Sequence, residues 1–258
     1  MSRAALVTGG GTGIGAAIAR RLRADGYDVC ITGRRREPLD AVAAETGALA
    51  FQSDTGDPGD AERAVAAASE AFGRLDLLVC NAGIGLAGTV GEQSPEGWDA
   101  VLRTNLTGAF LACRAAMSEL VRTKGSIVTI SSDSGLRVAP RSAAYCTAKA
   151  GLIMLTQSIA LDYGPLGVRA NCICPGWIRT PMADGEMDEL GEEKGTDREG
   201  AYELAATPVP LRRPGSPEEI ASAVAWLASE GAGFTTGAVL AIDGGNSVVD
   251  ASATVFAP

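Results

Sequence analysis

Tyr145 and Lys149 are spaced to share one face of a helix, thirteen residues after Ser132. The chain opens on the run Thr8-Gly9-Gly10-Gly11-Thr12-Gly13-Ile14-Gly15. A phenol, an ammonium and a hydroxyl can together pass a proton to or from an oxygen, and a glycine-rich turn ahead of a helix can hold a nucleotide phosphate. The pairing points to redox chemistry on a carbonyl or an alcohol.

Composition removes several competing chemistries. Histidine is absent, which excludes Ser-His-Asp hydrolysis, His-ligated zinc and His general bases. The six cysteines, at 30, 80, 113, 146, 172 and 174, stand among apolar neighbours without paired C-x-x-C clusters, so buried, reduced thiols and no metal are expected. The net charge of −9 gathers between Asp184 and Glu203, where nine acids face two bases. An acidic chain with no basic stripe repels nucleic acid. No apolar run approaches the roughly 18 residues of a membrane span, and the N-terminus enters a strand without a signal peptide, so a cytoplasmic protein is expected.

These groups need elements to position them. Buried strands are expected at Ala4 to Val7, Tyr27 to Thr32, Leu49 to Ser53, Leu75 to Cys80, Ser126 to Ile130, Val168 to Cys174 and Ala238 to Ile242. Helical spacing lies between them, at Ile14, Ile18 and Leu22, at Ala61, Val65, Ala68 and Phe72, at Leu106, Phe110, Cys113 and Met117, around Tyr145 and Lys149, and over Pro217 to Leu227. The alternation predicts an α/β fold, a doubly wound parallel sheet of about seven strands with helices on both faces, as one domain over 1–258. Glycine makes up about 13% of the chain against a usual ~7%, which implies many tight turns. A polar lid is expected over 181–213, where Gly185, Gly191, Gly195 and Gly200 should weaken any long helix.

Each motif falls at the carboxyl end of a strand, where ligands of such sheets bind. From Gly9 the glycines read G-x-x-x-G-x-G, wider than the familiar dinucleotide pattern. With Asn81-Ala82-Gly83, Asn105, Ser132, Tyr145-x-x-x-Lys149 and Pro175-Gly176, the chain resembles the classical short-chain dehydrogenase/reductase family over practically its whole length. The resemblance implies a Rossmann-type fold and roles for its residues. Tyr145 would exchange a proton with the substrate oxygen while hydride moves to or from a nicotinamide. Ser132 would donate a hydrogen bond to that oxygen, Asn105 would fix a water linking Lys149 to solvent, and Lys149 would also hold the nicotinamide ribose.

A free phenol titrates near ~10, and a cation at about 4 Å, worth roughly 4 kcal/mol at an effective dielectric near 20, would depress it by a few units. Taken singly, Tyr145 and Lys149 could be a surface pair, Ser132 a turn cap and Asn105 a helix N-cap. Their joint occurrence after a nucleotide turn favours the catalytic reading. Only Ser132, not Ser131 or Ser134, has the family's spacing to Tyr145.

The cofactor choice turns on the end of the second strand. Gly33 stands where an NAD enzyme would place an acid, followed by Arg34, Arg35 and Arg36, whose guanidinium groups suit a 2′-phosphate. NADP(H) is preferred and NAD(H) remains possible, since Thr12 is neutral where many NADP-using relatives carry a base. The resemblance further assigns the cofactor Gly9, Thr12, Gly13, Ile14, Gly15, Asp54, Thr55, Asn81, Ala82, Gly83, Pro175, Gly176, Ile178 and Thr180. The substrate wall draws on Leu136, Val138, Ala139, Arg141, Cys146, Trp177, Met182 and Met187, which suits a small or medium ketone or secondary alcohol. Alternatives are an NAD-dependent alcohol or polyol dehydrogenase, a 3-oxoacyl-carrier-protein reductase and a dinucleotide-binding redox sensor without turnover. The resemblance also implies a homotetramer or homodimer, built partly on the helices beginning near Leu106 and Ser142.

Overall fold

The computed structural model describes residues 2–250; residue 1 and residues 251–258, the ends of the expected domain, lie outside them. Seven apolar runs bounded by turn residues form β1 (Ala4–Thr8), β2 (Asp28–Gly33), β3 (Leu49–Gln52), β4 (Leu77–Cys80), β5 (Ser126–Ile130), β6 (Arg169–Pro175) and β7 (Val239–Ile242). All pair in parallel in the order β3-β2-β1-β4-β5-β6-β7. The expected strands are present with ends moved by one or two residues. Leu75, expected to open β4, is buried just ahead of it.

The helices are α1 (Gly13–Ala24), α2 (Arg36–Thr46), α3 (Pro58–Phe72), α4 (Pro95–Leu102), α5 (Gly108–Thr123), α6 (Ala143–Tyr163), α7 (Pro181–Lys194), α8 (Arg198–Ala206) and α9 (Pro217–Ala228). Successive strand residues point to opposite faces, so the sheet splits the core in two. On one face Val7, Val29, Ile31 and Val79 meet Ile18 and Leu22 of α1, Leu39 of α2 and Val224 of α9. On the other, Leu6, Leu78 and Ile127 meet Val65 of α3, Leu120 of α5 and Leu152 of α6. All six cysteines are free and buried. The strand order reverses between β1 and β4, and this reversal opens the crevice in which ligands of such sheets bind.

Two features depart from expectation. Helices α2 and α4 carry few buried residues, Leu39 and Val42 in one and Val101 in the other, so little periodicity announced them. The segment expected as a lid with weakened helices instead holds the fourteen-residue α7 and then α8. Thr180 caps α7 and Pro181 opens it. The helices then bury Ala183, Met187, Ala201 and Tyr202 against Trp177 and Leu190 in a small core of their own. Burial outweighs the glycine cost, and Gly191 is needed where it stands, since a Cβ there would lie 2.8 Å from the Thr196 carbonyl oxygen as the chain turns back.

Candidate active site

A cleft of about 650 Å³ runs along the carboxyl ends of the strands. It is lined by Gly9, Thr12, Gly13, Ile14, Arg34, Arg35, Asp54, Thr55, Asn81, Ala82, Gly83, Ser132, Tyr145, Lys149, Pro175, Gly176, Ile178 and Thr180. Two expected residues do not line it. Gly15 packs behind the turn, where a Cβ would fall 2.1 Å from the Gly9 carbonyl oxygen, so it serves close packing. Asn105 lies behind Gly83.

Backbone geometry builds the first end. Gly9 has φ +66°, and a Cβ there would stand 2.9 Å from the Ala82 Cα. Asn81 Nδ2 donates to the carbonyls of Thr8 (3.0 Å) and Gly9 (3.1 Å), while Thr8 Oγ1 accepts from the N–H groups of Asn81 and Ala82 at 3.0 and 3.1 Å. Thr8 escaped the sequence reading, although a hydroxyl at a strand end facing a second strand end is a readable signal.

The donor set fits an anionic dinucleotide. Helix α1 starts without a side-chain cap and without an acid in its first turn, leaving N–H donors at its positive end. Arg36 is tied to Asp40 at 2.8 Å, whereas Arg34 and Arg35 make no ion pair among the described residues. Asp54 Oδ1 accepts from the Gly56 N–H at 2.9 Å. Thr180 Oγ1 accepts from the Ala183 N–H, and its side chain stands over Gly13.

At the other end Ser132 follows β5, and Tyr145 and Lys149 descend from α6. Lys149 is buried, its Nζ donating to the Ile130 carbonyl at 2.9 Å and lying 5.5 Å from the centre of the Tyr145 ring. Burial pulls its pKa down to about 8. Burial also pushes the Tyr145 phenol up to about 12, opposed by hydrogen bonding with Ser132 and reinforced by the charges of Glu186 and Asp133. The expected depression of the phenol by Lys149 is not found: desolvation dominates, and the ammonium is turned to a backbone carbonyl. Ser132 Oγ donates to Asp133 Oδ1 at 3.1 Å and accepts from the Ser134 N–H. The other Asp133 oxygen accepts from Asn246 Nδ2 at 2.8 Å.

Asn105 is no helix N-cap. It sits in a π-helical turn, Arg103–Thr107, between α4 and α5. Its amide donates to the Ile84 carbonyl at 2.9 Å and accepts from the Ile84 N–H at 2.8 Å. A Cβ on Gly83 would stand 3.4 Å from Asn105 Oδ1 and 3.5 Å from Lys149 Nζ, so the three meet at one point. Such turns redirect side chains and recur at functional sites.

The residues expected as a substrate wall are divided between the cleft and other surroundings. Trp177 and Met182 line the cleft, but Leu136, Val138, Ala139, Arg141, Cys146 and Met187 do not. Leu136 packs against Ile153, Cys172 and Cys174. Met187 belongs to the lid core, Cys146 Sγ accepts from the Ala139 N–H, Val138 is exposed, and Arg141 pairs with Glu92. Glu186, which the sequence reading passed over among nine lid acids, does line the cleft.

The chain is similar to known proteins over most of its length. A family model described as Enoyl-(Acyl carrier protein) reductase matches residues 9–247. Protein MoaE of Klebsiella aerogenes is 42% identical over all of both chains. Meso-2,3-butanediol dehydrogenase of Serratia marcescens is 35% identical over 96% of each chain. The crystal structure of a variant of actinorhodin polyketide ketoreductase with NADPH superposes with a TM-score of 0.92 at 33% identity, covering 96% of this chain and 98% of that one.

Proposed function

The chain belongs to the short-chain dehydrogenase/reductase family, and on that premise we propose that it moves a hydride between NADP(H) and a small ketone or secondary alcohol. One observation carries the reading: Ser132, Tyr145 and Lys149 meet in a cleft that also holds two unpaired arginines. When bound, the nicotinamide supplies or accepts the hydride. The Gly9–Gly15 turn and the open end of α1 hold the pyrophosphate, with Thr180 alongside, and Arg34 and Arg35 take the 2′-phosphate. Asp54 and Thr55 face the adenine, while Asn81 to Gly83, Pro175, Gly176 and Ile178 shape the remaining wall.

Tyr145, a phenol at neutral pH, donates its proton to the carbonyl oxygen as hydride arrives and takes one from the alcohol in reverse. Ser132 turns its hydroxyl from Asp133 to that oxygen and stabilises the charge that develops there. Lys149, beside the phenol, stabilises the phenolate that results and holds the nicotinamide ribose. Asn105 fixes Ile84 and the point where Gly83 and Lys149 meet, and through a water there connects Lys149 to solvent.

The same reading makes the protein a cytoplasmic homotetramer or homodimer. Free cysteines suit a reducing compartment, and no described helix is long and apolar enough to cross a membrane. Phe110 on α5 and Met154 and Leu161 on α6 are exposed apolar side chains that a second subunit would cover. A 3-oxoacyl-carrier-protein reductase is the second reading, supported by 37% identity over 246 residues to the 3-oxoacyl-[acyl-carrier-protein] reductase MabA of Mycobacterium tuberculosis, but Gly164-Pro165-Leu166 offers no base to an acidic carrier.

Fluorescence titration with NADPH and NADH, followed by a panel of ketones, tests the proposal. Tighter NADPH binding with turnover of a ketone supports it. Binding without turnover across the panel points to a sensor, and tighter NADH binding to the NAD-dependent alternative.

A further inference from the structure

The cleft holds charges of opposite sign in different places. Arg34 and Arg35 are unpaired beside the glycine turn. Near Tyr145 the lining cation is Lys149, buried and committed to the Ile130 carbonyl. Of the two acids there, Asp133 has one oxygen on Ser132 and the other on Asn246. Glu186 is different: among the described residues it makes no ion pair and no hydrogen bond.

Glu186 projects from α7 across the cleft, and a Cβ on Gly85, in the loop after β4, would lie 3.5 Å from its Oε1. The carboxylate thus reaches from the lid to the opposite wall at Gly85. Arg179 is engaged with Glu199 and Arg141 with Glu92. Solvent still reaches Glu186, but protein crowds it enough that burial, with Glu189 adding to the effect, holds its pKa above the usual carboxylate value.

We propose that Glu186 is a specificity-determining residue that selects alcohols and ketones bearing a protonated amine close to the reacting carbon. The inference rests on the oxidoreductase reading above and names its substrate class. An alkylammonium gives the carboxylate a charge-assisted partner, whereas a carboxylated substrate meets like charge and a neutral one leaves Glu186 unpaired. The pairing also reaches the chemistry. Glu186 opposes ionisation of Tyr145, and an ammonium beside it cancels that effect as the substrate binds.

Three alcohols test this: isopropanolamine, propylene glycol and β-hydroxybutyrate share the CH3–CH(OH)–CH2 group and end in an ammonium, a hydroxyl and a carboxylate. They are oxidised with the preferred nicotinamide cofactor at about pH 8, below the ~10 at which an alkylamine loses its charge. The expected kcat/KM for isopropanolamine is at least about tenfold above that for propylene glycol, with β-hydroxybutyrate slowest. In Glu186→Gln the ammonium-to-hydroxyl ratio falls to about one, and Glu186→Lys reverses the order in favour of the carboxylate.

A wild-type enzyme that prefers either of the other two alcohols overturns the inference without needing any variant. So does a ratio that Glu186→Gln leaves unmoved while cofactor binding matches wild type. Turnover of neutral alcohols without preference for the amine removes only this inference. Cofactor binding with no turnover of any alcohol or ketone removes the oxidoreductase reading and this one together.

Discussion

The glycine turn after β1 and the α7–α8 lid face one cleft, yet they are built by opposite means. In the turn, backbone meets backbone. Gly9 must accept a positive φ, Gly15 must lack a side chain, and Asn81 and Thr8 bind main-chain groups. In the lid, side chains pack on side chains around Met187 and Tyr202, and Gly185 has nothing within 4 Å of where a Cβ would stand. Where backbone makes the site, residue types are dictated position by position. Where packing makes it, many sequences serve, so the lid is free to carry the proposed selectivity while the strand ends and α6 carry the proposed chemistry.

The sharpest break in this division comes at Tyr145. Tyr145→Phe should lower turnover about a thousandfold with the NADPH affinity kept within a few fold, read by steady-state kinetics and fluorescence titration. Turnover near wild type would move the proton transfer elsewhere, the lid included. Gly15→Ala should destabilise the protein by about 3 kcal/mol in urea unfolding, because the new methyl meets a carbonyl oxygen that cannot give way. A change under about 0.5 kcal/mol would mean that the turn relaxes as easily as a side-chain layer.

Removing both Arg34 and Arg35 as alanines should weaken NADPH about thirtyfold and NADH by less than about threefold. Equal losses would mean the arginines do not read the phosphate. The pH profile of carbonyl reduction tests Lys149, whose ammonium is present below about 8 and lost above it, while Tyr145 remains a phenol to about 12. The kcat/KM should be level below about 8 and fall by up to about tenfold per unit above it. A rate that rises instead would remove the charge of Lys149 from the reaction. The smallest effect belongs to the lid, where Gly185→Ala should stabilise by about 0.5–1 kcal/mol, since a helical glycine with open space around it gains from a methyl. A loss there would mean the lid is as exacting as the turn.

The same division explains what could be read in the sequence. Strands were legible in their short apolar runs, and the strand-end glycines, Asn81, Tyr145 and Lys149 in motifs that resemble those of the family. Helices α2 and α4 were not, because each buries too little to impose a period. The lid helices defied their glycines because Ala183, Met187, Ala201 and Tyr202 meet only after the chain has turned back on itself. For the same reason Leu136 and Met187 were misplaced, and Glu186 could not be told from the acids beside it until the fold set it over the cleft. The phenol's rise to about 12 was equally out of reach, since burial is a property of the assembled site.

The clasp between Thr8 and Asn81 also has a bearing on how the molecule comes into being. Its hydrogen bonds join residues 73 apart in sequence, and they join β1 to β4, the strands at which the two halves of the sheet meet. Contacts of that span incur their entropy cost before they return any stability, so they form late. A nascent chain released as far as β3 already owns every glycine of the turn and both arginines, but no wall for a nucleotide to lie against. Cofactor binding thus has no wall before β4 docks and is complete only once α6 and the segment after β6 are in place, and nicotinamide nucleotides should favour the completed fold over every earlier intermediate.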